Sequence, residues 1–427
     1  MKISEALAKR RKSLSSDSKS VLTLIGGTTI AQALNFIFSP ITTRLFSPEV
    51  FGDLSVFTSI TGIIGIIICL RYELAIVLPQ DDDEGFSLLK LCLIFATIIS
   101  ILAGIIFLFA GNAIYVSFGA PNLVQYWYYV PISLFLTGII QACNYWLTRT
   151  RQFVVLSWNK VIPVIVVNVV SIGLGLLGNR ALGARLFAIF LSNIANIAVL
   201  AKAVAPEFIS KKHATQSDYQ QLIKKYKNFL IYDIWGALLN NLSWMIVPIL
   251  MNAYYGSNAA GQYSIGMRVI QIPASLIGAS ITQVFLKNAV DEKYKKKLYP
   301  YTVNLAKKLF IITLPIALFF LFLGKEVFKV LFGQKWGLAG QYMQILSIWS
   351  IVWFISSPIS SIYTIVQKQN ISLITSTLNL VTRVLSLYLG RLLNSDLIGI
   401  MLFAFSGLIV NSLSIYFCLQ IAKKSDR

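Results

Sequence analysis

Apolar runs follow one another from Val21 to Ile421 with only short polar breaks. Each is close to the roughly 20 residues that a helix needs to cross about 30 Å of hydrocarbon. The pattern predicts an all-α, polytopic integral membrane protein of about twelve spans, at residues 20–42, 53–78, 86–110, 127–148, 153–176, 184–204, 227–253, 260–288, 302–324, 340–364, 371–392 and 397–420. The longest break, Pro206 to Asn228, is polar and basic and divides the spans six and six. The expected organisation is a basic N-terminal segment 1–19, a six-helix bundle 20–205, a linker 206–226, a second six-helix bundle 227–420 and a tail 421–427.

The halves echo each other. Pro40, then Phe46-Ser47-Pro48-Glu49-Val50-Phe51-Gly52-Asp53-Leu54-Ser55, is matched by Pro248, then Tyr255-Gly256-Ser257-Asn258-Ala259-Ala260-Gly261-Gln262-Tyr263-Ser264. Phe118-Gly119 is echoed by Phe332-Gly333. An even number of spans per half makes the repeats parallel, related by a pseudo-twofold axis along the membrane normal. Two such units rocking about a shared cavity have the geometry of alternating access.

Composition agrees with a lipid environment. The chain is 56% hydrophobic and 13% charged, whereas a soluble surface wants roughly a quarter to a third of its residues charged. The net charge of +20 raises nucleic acid as a partner, but the basic residues lie in the breaks and form no single stripe, so nucleic acid is set aside. Lys2, Lys9, Arg10, Arg11, Lys12, Lys19, Arg149, Arg151, the Lys202–Lys227 and Lys287–Lys297 groups, Lys368 and the tail fall on one side of the predicted topology. Only Arg44, Arg180, Lys325, Lys329, Lys335 and Arg391 fall on the other. The positive-inside rule then puts both termini on the cytoplasmic side of the membrane. The acidic Pro79–Glu84 run lies on the basic side and reads as a solvated turn, since acids carry little topological weight. The first apolar run exceeds a signal peptide's core and lacks a small-x-small cleavage site, so it is expected to stay as an uncleaved span.

Cys69, Cys92, Cys143 and Cys418 are scattered in apolar runs and read as small hydrophobes. His213 is the single histidine, which removes Ser/His and Cys/His chemistry and His-rich metal sites. No metal, cofactor or catalytic group is expected. Gly173-Leu174-Gly175-Leu176-Leu177-Gly178 fits GxGxxG but ends a span with no βαβ unit, so it reads as close helix packing. Asn241-Leu242-Ser243 fits a glycosylation acceptor but lies within the hydrocarbon.

Polar side chains inside a span are costly unless they face a neighbouring helix or water. Span 1 aligns Thr28, Gln32, Asn35 and Ser39; span 7 aligns Asp233 and Asn240; span 8 aligns Ser264, Arg268, Gln271, Ser275 and Thr282; span 11 aligns Ser372, Ser376, Asn379, Arg383 and Ser386. These stripes predict one hydrophilic, positively charged cavity between the halves. For Gln32, Asn35 and Asn240, hydrogen-bonding glue between helices competes evenly with cavity lining. Arg383 lies too deep to snorkel and reads as substrate-facing. Arg268 divides evenly between the two roles, and Lys160 reads as snorkelling. Arg71 and Glu73, two apart, face different ways on a regular helix and are not expected to pair. Glu73 and Asp233 are read as the acids well inside spans; they are candidates for H+ or Na+ coupling, with a structural ion pair across the bundle as the competing reading.

Several stretches together resemble the Wzx-type polysaccharide flippases of the MOP superfamily. They are Leu70-Arg71-Tyr72-Glu73-Leu74-Ala75-Ile76-Val77-Leu78-Pro79 with its acidic run, Phe51-Gly52, Tyr263-Ser264-Ile265-Gly266-Met267-Arg268-Val269-Ile270-Gln271-Ile272-Pro273 followed by Leu276-Ile277-Gly278, and Leu331-Phe332-Gly333-Gln334-Lys335-Trp336. The likeness runs nearly end to end. It implies a transporter, not an enzyme, of the bacterial inner membrane that carries an undecaprenyl-pyrophosphate-linked oligosaccharide to the outer leaflet for O-antigen, capsule or exopolysaccharide synthesis, beside a polymerase and a chain-length regulator. Arg268 and Arg383 suit a pyrophosphate, amides and hydroxyls suit sugars, and Trp235, Trp244 and Tyr232 offer stacking faces, although interfacial or core packing is their commoner fate. The alternatives are a multidrug/cation antiporter, which would want an acidic aromatic pocket, and a lipid II flippase, whose relatives usually carry two extra spans. From another class, a membrane enzyme polymerising lipid-linked sugars would want a large outer loop with catalytic groups.

Overall fold

Forty residues of helix, Ile234–Pro273, would run about 60 Å at 1.5 Å per residue, twice the thickness of the hydrocarbon. The chain avoids this by breaking at Gly256, whose φ of 87° and ψ of 167° are non-helical, a left-handed φ that only glycine adopts at little cost. The computed structural model in which this is seen describes residues 16–210, 216–273 and 278–426; residues 1–15, His213 and Ser275 lie outside them. Among the described residues, eleven helices are long and apolar enough to cross a bilayer. One of the eleven, Phe229–Ile272, holds the Gly256 break and supplies two legs, so twelve legs result.

We label them α1 Ser16–Leu45, α2 Pro48–Ile67, α3 Asp82–Ser117, α4 Tyr129–Arg149, α5 Phe153–Leu176 and α6 Leu182–Ser210 in the first half. In the second half, α7 and α8 are the legs of Ile234–Pro273 before and after Gly256, followed by α9 Leu298–Phe332, α10 Gly337–Ile359, α11 Gln369–Leu392 and α12 Asp396–Asp426. The helix Ala279–Tyr294 follows α8. Large side chains such as Ile105 and Phe109 on α3 and Ile311 and Phe322 on α9 are exposed, as lipid-facing surface requires. The cysteines are all buried; of the glycine run only Gly175 makes the expected close helix contact, with Leu45 and Phe46, while Gly173 and Gly178 have open space beside them.

The internal repeat appears as reciprocal contacts at the end of the bundle away from the lysine-rich connections. Gly52 on α2 lies against the Ser257 carbonyl, and Gly261 on α8 against the Pro48 carbonyl, so close that a methyl group on either would overlap backbone. The Thr43 hydroxyl donates to the Phe332 carbonyl at 3.2 Å and the Asn252 amide to the Phe118 carbonyl at 2.9 Å. Each of those carbonyls precedes a glycine of positive φ, Gly333 or Gly119. The Phe51 ring meets Trp336 edge-on at 5.3 Å, and the Trp336 indole donates to the Thr43 carbonyl. Asp53, buried on α2, accepts from Ser257 at 2.7 Å and from Asn122 at 2.9 Å, while Asn258 donates to Glu49 at 2.6 Å. This end is closed.

The opposite, basic end departs from the expectation in three places. The span predicted at 53–78 stops as a regular helix at Ile67, and Leu70 and Arg71 turn into left-handed backbone before a short 3₁₀ helix, Tyr72–Val77. The Pro79–Glu84 run is more than a solvated turn, because orphan N–H groups and the dipole at a helix start favour carboxylates. Asp81 caps α3 by accepting from the Asp83 and Glu84 amides, and Asp82 binds Arg149 at 2.9 Å. Finally, the linker holds a helix, Gln216–Lys225, that is tied to the first half. Tyr72 donates to the Ile223 carbonyl at 3.1 Å, and Lys225 and Tyr226 both reach Glu84.

Candidate functional site

Where α2 and α8 close one end, the halves enclose a cavity of about 260 Å³ lined by Ser55, Thr58 and Ser59 from α2, Trp244 and Met245 from α7, and Ser264, Arg268 and Gln271 from α8. Phe51 and Tyr263 form its wall toward the closed end. A second cavity of about 360 Å³ lies within the second half, with Asn240 and Ser243 from α7, Ser356 from α10, Ser376, Asn379 and Arg383 from α11, and Asn411 from α12. Trp244 lines both. Neither lining contains a carboxylate, so each cavity takes its charge from an arginine.

Of the predicted site residues, Arg268 and Gln271 thus face the space between the halves, while Asn240, Asn379 and Arg383 face the space inside the second half. The single chamber expected between the halves is two. Helical periodicity shows that the α11 stripe points inward, but which interior it meets depends on α11 packing against α7 and α12. Arg383 is 3% exposed. Its Nη1 donates to the Ser243 carbonyl at 2.7 Å and hydroxyl at 2.9 Å, and its guanidinium lies 4.0 Å over the Trp244 ring. Ser386 on the same stripe meets Ser406 instead.

The α1 stripe goes elsewhere. Asn35 accepts from Asn168 on α5 at 3.3 Å, and Thr28 accepts from Lys160 at 2.8 Å, with Lys160 itself exposed near the start of α5. Gln32, half-buried on the same face, lines neither cavity. For Asn35 the structure therefore favours glue between helices. Of the three aromatic faces, only Trp244 borders a cavity; Trp235 and Tyr232 are exposed.

The proposed coupling acids are also displaced from their expected depth. Asp233 sits in a single π-turn at the entrance to α7, is exposed, and binds Arg71 at 2.7 Å. Glu73 is buried in the 3₁₀ segment beyond α2, and Arg71 Nη1 lies 3.4 Å from its Oε1. Arg71 and Glu73 pair after all because the chain is not a regular helix there: Arg71 has a φ of 66°, which swings its side chain toward both acids. The result is a three-charge cluster at the basic end joining α2 to α7, not a pair of acids at mid-membrane depth.

Burial pushes the Glu73 carboxyl above its ordinary range, a second effect of Asp233 adds to this, and Arg71 opposes it. A carboxyl raised in the folded state holds its proton more tightly there, so stability falls as pH rises from the ordinary carboxylate pKa to the raised one. Wild type should therefore gain stability as pH is lowered across that window, while Glu73→Gln shows a flatter profile; thermal unfolding in nanodiscs from pH 4 to 8 measures both.

Two buried charges were missed in the sequence. Arg185 on α6 is 5% exposed, its Nε and Nη1 have no partner, and its guanidinium lies 5.4 and 5.1 Å from the Phe46 and Phe51 ring centres. Arg268 acts on it as a like charge. Asp53 is the other, locking the closed end. Each lies within the first few residues of its helix, where a charge reads as a loop residue; the available signal was its place inside the apolar run.

The two six-helix repeats share the fold of solved transporters of the MOP superfamily. The fold matches an inward-facing multidrug resistance MATE-family transporter of that superfamily with a TM-score of 0.76 at 18% identity, covering 92% of this chain and 96% of the other. It matches the lipid II flippase MurJ, in an inward closed conformation, with a TM-score of 0.75 at 14% identity, covering 95% and 90%. The chain belongs to the polysaccharide biosynthesis protein family, which it matches over residues 41–341. It is also 23% identical over 141 residues to the teichuronic acid biosynthesis protein TuaB of Bacillus subtilis (strain 168), a stretch covering 33% of this chain and 29% of that relative.

Proposed function

We propose that this protein is a flippase that moves undecaprenyl-pyrophosphate-linked oligosaccharide units from the cytoplasmic to the outer leaflet of a bacterial inner membrane. The product serves O-antigen, capsule or exopolysaccharide synthesis, with a polymerase and chain-length regulator downstream. Membership of a polysaccharide biosynthesis family supports the saccharide. The observation that carries the reading is the cavity between the repeats, lined by hydroxyls, an amide and Arg268 and closed at one end by Gly52 and Gly261. A diphosphate is an anion that a guanidinium fork binds well, and neutral polar groups suit sugars.

The basic end faces the cytoplasm in this reading, with both termini on that side, so the cavity loads there and empties after the closed end opens. A drug-cation antiporter is disfavoured because no carboxylate lines either cavity. The Arg71, Glu73 and Asp233 cluster would couple H+ or Na+ by breaking and re-forming as the α2–α7 approach changes.

The test is leaflet-resolved translocation in proteoliposomes with a defined undecaprenyl-diphosphate oligosaccharide, with lipid II in parallel. Wild type should flip the oligosaccharide lipid, and Arg268→Gln should reduce the rate at least tenfold while remaining folded. Undiminished flipping by that variant would remove Arg268 from the site, and transport of lipid II alone would replace the substrate. Rates that survive collapse of both ion gradients would end the coupling role.

A further inference from the structure

The chamber inside the second half differs in chemistry from the cavity between the repeats. Its wall is dominated by hydroxyls and amides, which excludes a lipid tail, and its one charge is a guanidinium, which excludes a cation. At about 360 Å³ it falls within the roughly 300–1,000 Å³ usual for small-ligand sites. Asn240 and Ser357, both exposed, mark its mouth at the basic end, and Arg383 and Asn411, both buried, lie at its floor.

Its polar groups are only partly satisfied. Arg383 uses Nη1 on Ser243, and none of its other N–H groups has a partner among the described residues. The Asn379 amide donates to the Thr375 carbonyl at 3.1 Å, but its buried Oδ1 accepts nothing. The free edge of the Arg383 guanidinium opens on the cavity without a counter-charge, and the buried Asn379 carbonyl without a donor is expensive unless a ligand or water supplies one. One carboxylate neutralises one guanidinium and fits its fork, whereas a diphosphate would leave excess negative charge here. The Trp244 and Trp353 rings, 5.3 Å apart and tilted by 59°, add apolar surface to the lining against which a pyranose ring can rest.

We propose that this chamber is a saccharide subsite selecting a carboxylate-bearing sugar, with Arg383 pairing the carboxylate, Asn379 accepting a sugar hydroxyl, and the diphosphate held across Trp244 at Arg268. The inference rests on the reading of the protein as a carrier of lipid-linked saccharide, and it narrows the substrate to an acidic one.

The test uses purified full-length protein in nanodiscs and lipid-free probes, namely a glucose–glucuronic acid disaccharide and its neutral carboxamide, by calorimetry and tryptophan fluorescence. The acid should bind at least tenfold tighter than the amide. Arg383→Gln should bring the two within twofold, and Arg383→Lys, a point charge without the fork, should keep part of the difference. Asn379→Ala should weaken both probes by the same factor and keeps the assay decisive if the arginine variants do not fold. Equal binding of acid and amide, no binding of either at millimolar concentration, or tighter displacement by inorganic diphosphate that depends on Arg383 would each overturn the subsite. The carrier reading fails separately, through loss of translocation of the lipid-linked substrate by wild type.

Discussion

Valine in place of Gly52 or Gly261 should shift the protein away from the closed-end state about tenfold, and valine at both further than either alone but by less than the product, because the two glycines share one contact. Each added side chain meets a backbone carbonyl, Ser257 for Gly52 and Pro48 for Gly261, and a carbonyl within a packed helix start cannot rotate away. Overpacking of this kind costs about 1–3 kcal/mol, and about 1.4 kcal/mol corresponds to tenfold in an equilibrium. The penalty exists only while the two helices touch, so it falls on one conformation and spares the other, which is how a substitution remote from ligand alters a transport cycle. Translocation should fall in parallel, because a carrier held open at that end cannot return to load. The measurement is reaction of Ser55→Cys in the cavity with an impermeant maleimide added from the outer side. Labelling should accelerate in each glycine variant, and unchanged labelling with normal transport would show that the contact is incidental to the cycle.

Arg185→Met should raise stability and lower transport together. Arg185 is buried, two of its nitrogens have no partner, and Arg268 repels it. Replacing a buried charge group with an apolar side chain of similar length is often neutral or stabilising by about 1–4 kcal/mol. If the charge is kept to draw an anionic substrate toward the Arg268 side of the cavity, its loss should slow translocation about tenfold or more at saturating lipid, which corresponds to about 1.4 kcal/mol of lost interaction. Thermal unfolding and leaflet-resolved flipping, run on the same nanodisc and vesicle preparations, give the two signs. The opposite pattern, a loss of stability with transport intact, would mean that Arg185 serves only its cation–π contacts with Phe46 and Phe51, which are worth about 0.5–2 kcal/mol.

Particular residues show why some of the site was legible and some was not. Arg268, Gln271, Asn379 and Arg383 were found because a polar group every three or four residues in an apolar run has to face something other than lipid. The same rule selected Asn35, which meets Asn168, because periodicity cannot distinguish a cavity from a neighbouring helix's amide. Arg71 and Glu73 were judged by a helix that ends before them, and the left-handed turn at Leu70 and Arg71 has no glycine or proline to announce it. Asp233 belongs to an apolar run that predicts depth for it, whereas the π-turn leaves it at the surface.

By itself the sequence determined what solvent suits the chain: the lengths of its apolar runs require spanning helices, and its repeated Phe-Gly and Gly-bearing segments require two like halves. Those are local properties, set by hydrophobic period and by backbone freedom at single residues. Only the tertiary structure decided which interior each polar face meets, because that depends on the side chains of helices far away in the chain. The separation of Arg268 from Arg383 by Trp244, the isolation of Arg185 and the joining of Arg71 to Asp233 all arise from such distant pairings, whose energies appear only when the helices pack.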